Sequence, residues 1–507
     1  MLSDVVRASA ARFGDRPVVD APDGVLGHAE LDRCADSLAT TLVHRGVRPG
    51  DVVAIVLRSG ADWLVTATAI DRAGGVIAGV SPVLSPPERA TLVDLVRPAL
   101  VLAHPDLVDG LPLRADVAVL EPGGRGAELG GAGGGPPGDP GRDDAEPAVI
   151  CFTSGTSGRP KAAWFTRRQL EAVRRIDLGP AEHRWGGGAP MLASTQFAHV
   201  GMALKLPWYL QLGSTLHVMD RWRADDALEL VAHHRMPTIG VVAPQLALML
   251  RSPLVDELDL SCVTTIIAGG AASPPALVEQ ARSTFGAAYS IRYSSTESGG
   301  VGLATSPDAD DHEAVHTVGR PRPGVEARVA DDRDHEVPDG EVGELQLRSA
   351  AVMSGYWQDP DETAAALTPD GWLRTGDLAV REPTGAVRLA GRRTEMYLRG
   401  GYNVFPSEVE AVLSSLPEVR DVVIVPEADD VMGERGVALV VPADPDDPPG
   451  LERLREFAAT RLASHKLPED VVQVDAVPLT SAQKVDRAAA ERLLSLHRED
   501  RPADGTR

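Results

Sequence analysis

Thr153-Ser154-Gly155-Thr156-Ser157-Gly158-Arg159-Pro160-Lys161 follows the apolar run Ala148-Val149-Ile150-Cys151-Phe152. A run this short, closed by turn residues, reads as a buried strand. Hydroxyl side chains, two glycines and a lysine then crowd into nine residues. Such a loop turns its backbone N–H groups toward a phosphate, because glycine permits the required angles. The hydroxyls add donors and Lys161 adds charge. Thr166, with Gln169 three residues on, has the pattern of a capping box and predicts a helix after the loop. The loop is not of the G-x-x-x-x-G-K-[ST] type. Counted from Gly155, Pro160 stands at the second glycine and Ala162 at the metal-binding hydroxyl. Proline donates no backbone hydrogen bond, so this cradle is built differently. Taken by itself, the stretch reads equally as a polar surface loop.

The chain around it has 507 residues, enough for more than one domain and an ample core. A hydrophobic content of 43% is ordinary for a globular protein. The 50 basic and 73 acidic residues leave a net charge of −23, which argues against non-specific binding to nucleic acid or an anionic membrane. Cys34, Cys151 and Cys262 lie far apart and show no metal-ligand spacing, as in a reduced, cytoplasmic setting. Cys151 falls in the expected buried strand and reads as inert packing. Residues 1–14 read as an amphipathic helix without the apolar core of a signal peptide. No apolar run approaches about 18 residues, so no membrane span is expected.

Helical and strand patterns alternate over residues 1–120. Asp51–Leu57 and Val76–Val80 read as strands, and Ala61–Ala73 as a helix between them. That alternation favours a parallel sheet with crossover helices, an α/β fold. Residues 121–146, rich in glycine and proline, cannot bury apolar surface and read as a mobile, exposed insertion. Further on, Thr238–Val242 and Thr264–Ala268 read as strands, the second opening into Gly269-Gly270-Ala271-Ala272. Side chains this small let a flat ring lie against backbone. Past residue 395 the strand patterns Val419–Val425, Val437–Val441 and Val471–Val477 and the helical pattern Leu451–Ala463 describe a second, smaller α/β unit.

The quoted stretch resembles the phosphate loop of the adenylate-forming superfamily, [ST]-S-G-[ST]-[TS]-G-x-P-K-G, at every position but the last, where Ala162 replaces glycine. That superfamily includes acyl-CoA synthetases, carrier-protein adenylation domains and luciferases. Its other motifs recur in order. Ser290-Ile291-Arg292-Tyr293-Ser294-Ser295-Thr296-Glu297 is similar to Y-G-x-T-E. Leu373-Arg374-Thr375-Gly376-Asp377 is similar to [YW]-x-[RK]-T-G-D, and follows the family-like Gly355-Tyr356-Trp357. Gly391-Arg392-Arg393-Thr394 resembles G-R-x-[DK]. Gly400-Gly401-Tyr402-Asn403-Val404-Phe405-Pro406 resembles acyl- and aryl-CoA synthetases in particular. Pro478-Leu479-Thr480-Ser481-Ala482-Gln483-Lys484-Val485 is loosely similar to P-R-[NT]-x-x-G-K-[IV].

The resemblance implies a large N-terminal α/β domain of several subdomains over residues 1–390, a hinge at 391–394, and a small mobile C-terminal α/β domain over 395–507. It implies a two-step ligase: a carboxylate attacks the α-phosphate of ATP, giving acyl-adenylate and pyrophosphate, and a thiol then displaces AMP. Thr153, Ser154, Gly155, Thr156, Ser157, Gly158 and Lys161 would hold phosphate. Gly270, Ala271 and Ala272 would border adenine, and Tyr293 would stack on it. Thr296 would bond phosphate, and Glu297 would hold Mg²⁺, a hard cation suited to carboxylate oxygen. Asp377 would bind the ribose hydroxyls and Arg392 the ribose or phosphate. His199, in Phe197-Ala198-His199, would sit beside the acyl pocket. Gly400, Gly401 and Tyr402 would line the CoA tunnel, and Lys484 would be the catalytic lysine. The partners implied are a carboxylic acid, ATP and CoA, with neither nucleic acid nor membrane.

Ala198 replaces an aspartate usual in amino-acid-activating members and disfavours an α-amino acid. The small residues Ala268, Gly269, Gly270, Gly299, Gly300 and Gly302 suggest room for a bulky apolar or ring-bearing acid. Thr394 at the hinge, Leu398 where lysine is frequent, and Leu479, Gln483 and Ala162 beside the lysine and phosphate loops depart from the family pattern. Alternatives therefore stay open: a ligase loading a carrier-protein phosphopantetheine, a specialist converting an acyl-adenylate made by a partner ligase, or a non-catalytic nucleotide- or acyl-binding descendant.

Overall fold

Pro147–Thr153 is the strand expected before the phosphate loop, and it lies inside a seven-stranded sheet of the computed structural model. The structure describes residues 2–112, 116–129, 141, 143–153, 160–270, 273–393, 395–400, 402–480 and 485–499. The sheet runs Gly355–Tyr356, Lys161–Thr166, Pro147–Thr153, Val76–Gly79, Val52–Val56, Leu100–Ala103, Val117–Val119. From Pro147–Thr153 to Val117–Val119 its neighbours are parallel, as the alternating pattern predicts. All five residues of Val52–Val56 are buried, the near-continuous apolar run typical of a strand covered on both faces. Truncating one of them, such as Ile55→Ala, costs about 2–5 kcal/mol.

One expectation about this region changes. Lys161–Thr166 is itself a strand, antiparallel to Pro147–Thr153, with Thr153 opposite Lys161. The two strands pair as a β-hairpin, and Ala162 lies within its second strand, opposite Phe152. The capping box forms as predicted: Thr166 caps Arg167–Leu178, and the Gln169 side chain returns to its backbone.

The helix Ala61–Arg72 is buried along its whole length, so its charged side chains need partners. Arg72 reaches Asp32 and Asp36, and Arg167 reaches Asp71. Asp62 accepts hydrogen bonds from the backbone N–H of Gly123 at 2.6 Å and of Arg125 at 2.9 Å. That contact corrects the reading of residues 121–146 as one mobile insertion: a buried carboxylate pins its first part to the core. Residues 130–140 and 142 lie outside the described residues.

A second sheet orders Thr238–Val241, Thr265–Gly269, Ala288–Tyr293, Leu303–Ala304 and Arg320–Pro321. A third is a four-stranded antiparallel sheet of Val325–Ala330, Val342–Ser349, Leu373–Arg381 and Val387–Arg392. A fourth joins Gly24–Gly27, Pro17–Ala21, Leu216–Val218 and Met191–Ala193. Beyond residue 396, Tyr402–Val404, Tyr397–Arg399, Gly433–Pro442 and Val419–Asp429 form another sheet, with Asp470–Gln473 beside Gly433–Pro442. Its hydrophobic clusters begin at Tyr397, and those of the first part end at Leu389, so no cluster of described residues straddles 390–396. A large N-terminal α/β domain and a small C-terminal one result. Among the described residues, no helix is long and apolar enough to cross a membrane.

Candidate active site

The candidate residues gather where parallel strands end. Thr153 closes Pro147–Thr153, Gly270 follows Thr265–Gly269, and Tyr293 closes Ala288–Tyr293. Thr265–Gly269 and Ala288–Tyr293 are parallel neighbours with Gly269 opposite Arg292, so Gly270 and Tyr293 emerge side by side. The carboxyl ends of parallel strands are where open α/β sheets bind ligands, because the loops there are free to diverge. Gly270 has φ +75°, a left-handed conformation that glycine adopts without strain.

Tyr293, Asp377 and Arg392 form one connected group. Tyr293 Oη donates to Asp377 Oδ2 at 2.6 Å, and Arg392 Nε donates to Asp377 Oδ1 at 3.0 Å. Strand register places Asp377 opposite Arg392. Burial, then the Asp377 charge, pushes the Tyr293 phenol well above its ordinary range, so it stays a donor. The neighbouring Arg374 turns elsewhere, and its guanidinium grips Asp334 through both oxygens, at 3.0 and 2.6 Å.

A second group surrounds Glu297. Tyr356 Oη donates to Glu297 Oε1 at 2.9 Å, and the Glu297 carbonyl accepts from Met353 N at 2.8 Å. Thr296 stands in the same turn, its carbonyl bonded to Gly299 N. The Lys161 ammonium lies 5.0 Å from the centre of the Tyr356 ring and 2.6 Å from Glu362 Oε2. Lys161, Tyr356 and Glu297 are therefore linked side chain to side chain. Sequence reasoning does not find Glu362. The visible signal is the cap Asp359-Pro360, which starts Pro360–Ala366, and that signal does not say which way Glu362 turns.

His199 precedes the helical turn Val200–Ala203 and is half-buried. Phe197 is fully buried, edge-on to Trp63 at 5.6 Å. Ala198 lies against Gly79, where an added Cβ would meet Ala198 Cα at 3.0 Å, so a larger residue at 198 would crowd the Val76–Gly79 strand. The glycines read as open space divide. A Cβ on Gly299 would meet Ala351 O at 2.4 Å, on Gly302 Tyr293 O at 2.4 Å, and on Gly269 Arg292 O at 3.0 Å. Those three are small because backbone packs against them, which corrects their reading as pocket. Ala268 is fully buried. Gly270 and Gly300 meet only ordinary contacts at 3.5 Å, with Val242 and Val200 respectively.

In the small domain Gly400 has φ +57° and its N–H bonds Met432 O at 2.8 Å. Tyr402 is 60% exposed and stacks on His465 with centroids 4.6 Å apart. Ser154, Gly155, Thr156, Ser157, Gly158, Ala271, Ala272, Thr394, Gly401 and Lys484 lie outside the described residues. The chain on either side of Lys484 is placed: Leu479 and Val485 pair as an antiparallel bridge, and Asp486 N bonds Pro478 O.

The geometry has counterparts. A family model described as AMP-binding enzyme matches residues 6–357, and one described as AMP-binding enzyme C-terminal domain matches residues 408–484. An indoleacetate–CoA ligase of Aromatoleum aromaticum is 29% identical over 508 residues, covering 97% of this chain and 98% of the relative. A feruloyl-CoA synthase of an Amycolatopsis species is 31% identical over 474 residues, covering 92% and 94%. The structure of the amide bond synthetase McbA from Marinactinospora thermotolerans superposes with a TM-score of 0.85 at 28% identity, covering 97% of this chain and all of that one.

Proposed function

The chain belongs to the AMP-binding enzyme family, and from that premise we propose that it joins a ring-bearing or otherwise bulky apolar acid to CoA through an acyl-adenylate. It is an ATP-dependent acid–thiol ligase. The observation that carries the nucleotide half of the proposal is the Tyr293–Asp377–Arg392 group. An adenine platform, a two-oxygen acceptor for ribose hydroxyls and a guanidinium for phosphate stand together there. The acid is supported by relatives that act on indoleacetate and feruloyl groups.

Adenylation needs no protein nucleophile, since the substrate carboxylate attacks the α-phosphate itself. The protein's work is positioning and charge. Lys161 and Arg392 bring fixed positive charge, Thr296 a hydroxyl. Glu297 offers a hard carboxylate oxygen suited to Mg²⁺, with Tyr356 fixing its other side. When bound, Mg²⁺ supplies Lewis-acid charge to phosphate oxygen. We place the hinge at 391–394, between domains over 1–390 and 395–507. The break between hydrophobic clusters supports that placing, as does Gly391, whose φ is +147° and whose added Cβ would meet Phe405 at 2.9 Å. Gly400, Gly401 and Tyr402 then face the thiol in one domain arrangement, and Lys484 the adenylate in the other. A cytoplasmic site of action fits substrates of this kind.

The test is a panel of indolyl, phenylpropenoid, benzoic and straight-chain acids with ATP and Mg²⁺. Each is offered CoA, a phosphopantetheinylated carrier protein or no thiol, and the products are read by mass. Ring-bearing acyl-CoA as the main product is expected. Turnover confined to short linear acids sinks the acid assignment, and acylation of carrier protein over CoA sinks the acceptor.

A further inference from the structure

We propose that Asp20, His217 and His234 form a site for a borderline divalent transition metal of the Zn²⁺ class, apart from the nucleotide chemistry. One ligand atom from each of the three residues lies within 4.8 Å of the others. Asp20 and His217 are register partners on the parallel strands Pro17–Ala21 and Leu216–Val218, so the sheet itself points both side chains to one face. His217 Nδ1 lies 3.3 Å from Asp20 Oδ2. His234 follows the helix Ala224–His233 and lays its ring on that of His217, with centroids 3.8 Å apart.

Two features separate this cluster from ordinary packing. His217 is only 5% exposed, and its Nδ1 is buried without an aligned hydrogen-bond partner. Its near neighbour is the Asp20 carboxylate at 3.3 Å, and a cation held among the three residues would satisfy both groups at once. The chemistry of the set is also specific. Two imidazoles and one carboxylate suit Zn²⁺, Ni²⁺ or Cu²⁺, whereas Mg²⁺ and Ca²⁺ prefer oxygen alone.

Tetrahedral coordination at bond lengths of about 2.0–2.1 Å brings ligand atoms to roughly 3.4 Å of each other. His217 is fixed by its strand, so His234, half-exposed at a helix end, makes the adjustment by turning its ring off the stack. His233 is exposed and lies edge-on to His234 at 4.6 Å. Asp20 is far in sequence from His217 and His234, so the site exists only in the folded chain. Metal binding then stabilises the junction of the first strands with the segment 216–234.

The experiment uses the untagged, full-length, chelator-treated protein without ATP. Zn²⁺ is titrated by calorimetry, Co²⁺ is added as a spectroscopic probe, and Mg²⁺ is kept in excess throughout. One equivalent of Zn²⁺, a visible tetrahedral Co²⁺ band and a raised melting temperature are expected. Even an outer-shell partner of a metal ligand is worth about 10–100-fold in affinity. His234→Ala and Asp20→Asn, both at partly exposed positions, should each weaken binding at least tenfold while keeping wild-type circular dichroism. These two carry the test if the buried His217→Ala does not fold. Absence of saturable Zn²⁺ binding, or wild-type affinity in either folded variant, overturns the site.

Discussion

Tyr293 Oη donates a 2.6 Å hydrogen bond to Oδ2 of Asp377, 84 residues away in the chain. The bond ties the end of a parallel strand in one sheet to an antiparallel strand in another, and Arg392 holds the second carboxylate oxygen. Asp377 is thereby oriented before any nucleotide arrives. Tyr293→Phe keeps the ring and removes only that bond. A hydrogen bond to a charged group is worth about 1.5–3 kcal/mol. The expected result is a KM for ATP raised roughly tenfold or more, with the KM for the acid little changed. Steady-state kinetics with the other substrates saturating decide it. An unchanged KM for ATP shows that Arg392 alone suffices to set Asp377.

The lysine proposed to meet phosphate has a carboxylate partner within the protein. Lys161 Nζ sits 2.6 Å from Glu362 Oε2, and the Glu362 side chain is 44% exposed. An ion pair with so exposed a partner contributes only about 0–1 kcal/mol to stability. Glu362→Gln should leave the unfolding midpoint within that range. It also frees the ammonium for phosphate, so the KM for ATP should fall a few-fold, whereas Lys161→Ala should raise it. Initial rates against ATP concentration give both signs. A raised KM in Glu362→Gln shows that the carboxylate positions the lysine and does not compete for it.

The parts of this molecule written into the sequence are those set by local pattern. The run before Thr153, the buried strand at Val52–Val56 and the capping box at Thr166 depend on period and cap chemistry within a few residues. The hairpin after Thr153 is hidden because Lys161-Ala162-Ala163-Trp164-Phe165 is too short and too mixed to separate strand from loop. Its strand character comes from pairing on both sides, with Pro147–Thr153 and Gly355–Tyr356. Tyr293, Asp377 and Arg392 are visible singly, each in its own motif. Their mutual hydrogen bonds depend on register between distant strands, and no local rule states that. The same limit hides Glu362 beside Lys161, and the pairing of Asp20 with His217. Gly299 and Gly302 show the converse error: small side chains mark either open space or close backbone, and only packing separates the two.

Buried His28 gives stability a definite pH dependence. Its Nδ1 lies 3.1 Å from Ser9 Oγ, its Nε2 is unpartnered, and desolvation lowers its pKa from 6.5 to about 4. Between those values the unfolded chain takes up a proton that the folded chain refuses. Stability contributed by the neutral ring is therefore present above 6.5 and lost as pH falls toward 4, at up to about 1.4 kcal/mol per pH unit. His28→Gln retains a polar atom for Ser9 and does not titrate. Its denaturant midpoint should fall less steeply than the wild type's between pH 6.5 and 4, since the carboxylates common to both cancel. Parallel slopes for the two proteins in that window refute the assignment.

The role proposed for Lys484 predicts that its loss separates the two half-reactions. The turn that carries it is closed by the Leu479–Val485 bridge and by Asp486 N on Pro478 O, and it leads directly into the helix Arg487–Glu499. Arg487, at the start of that helix, pairs with Glu410 and reaches Glu395 at 3.3 Å, one residue past the proposed hinge. In the proposed hinge movement, Arg487 would tie the start of this helix to Glu395 and Glu410. In the adenylating arrangement the Lys484 ammonium would stabilise charge on the α-phosphate and carboxylate oxygens. Removing one such donor costs about 2.7–4 kcal/mol, or roughly 10²–10³ in rate. In the thiol-transfer arrangement it would be elsewhere. Lys484→Ala should accordingly lose pyrophosphate release from acid and ATP by that factor, while converting synthetic acyl-adenylate and CoA to thioester at close to the wild-type rate. Equal loss of both activities removes the lysine from the role given to it. The wild-type rates measured beside it bear on Leu479 and Gln483, which replace the arginine and glycine of the family pattern around the lysine. Brisk pyrophosphate release shows that this turn adenylates without them. Slow release with fast thioester formation makes the enzyme a consumer of acyl-adenylate supplied by another ligase.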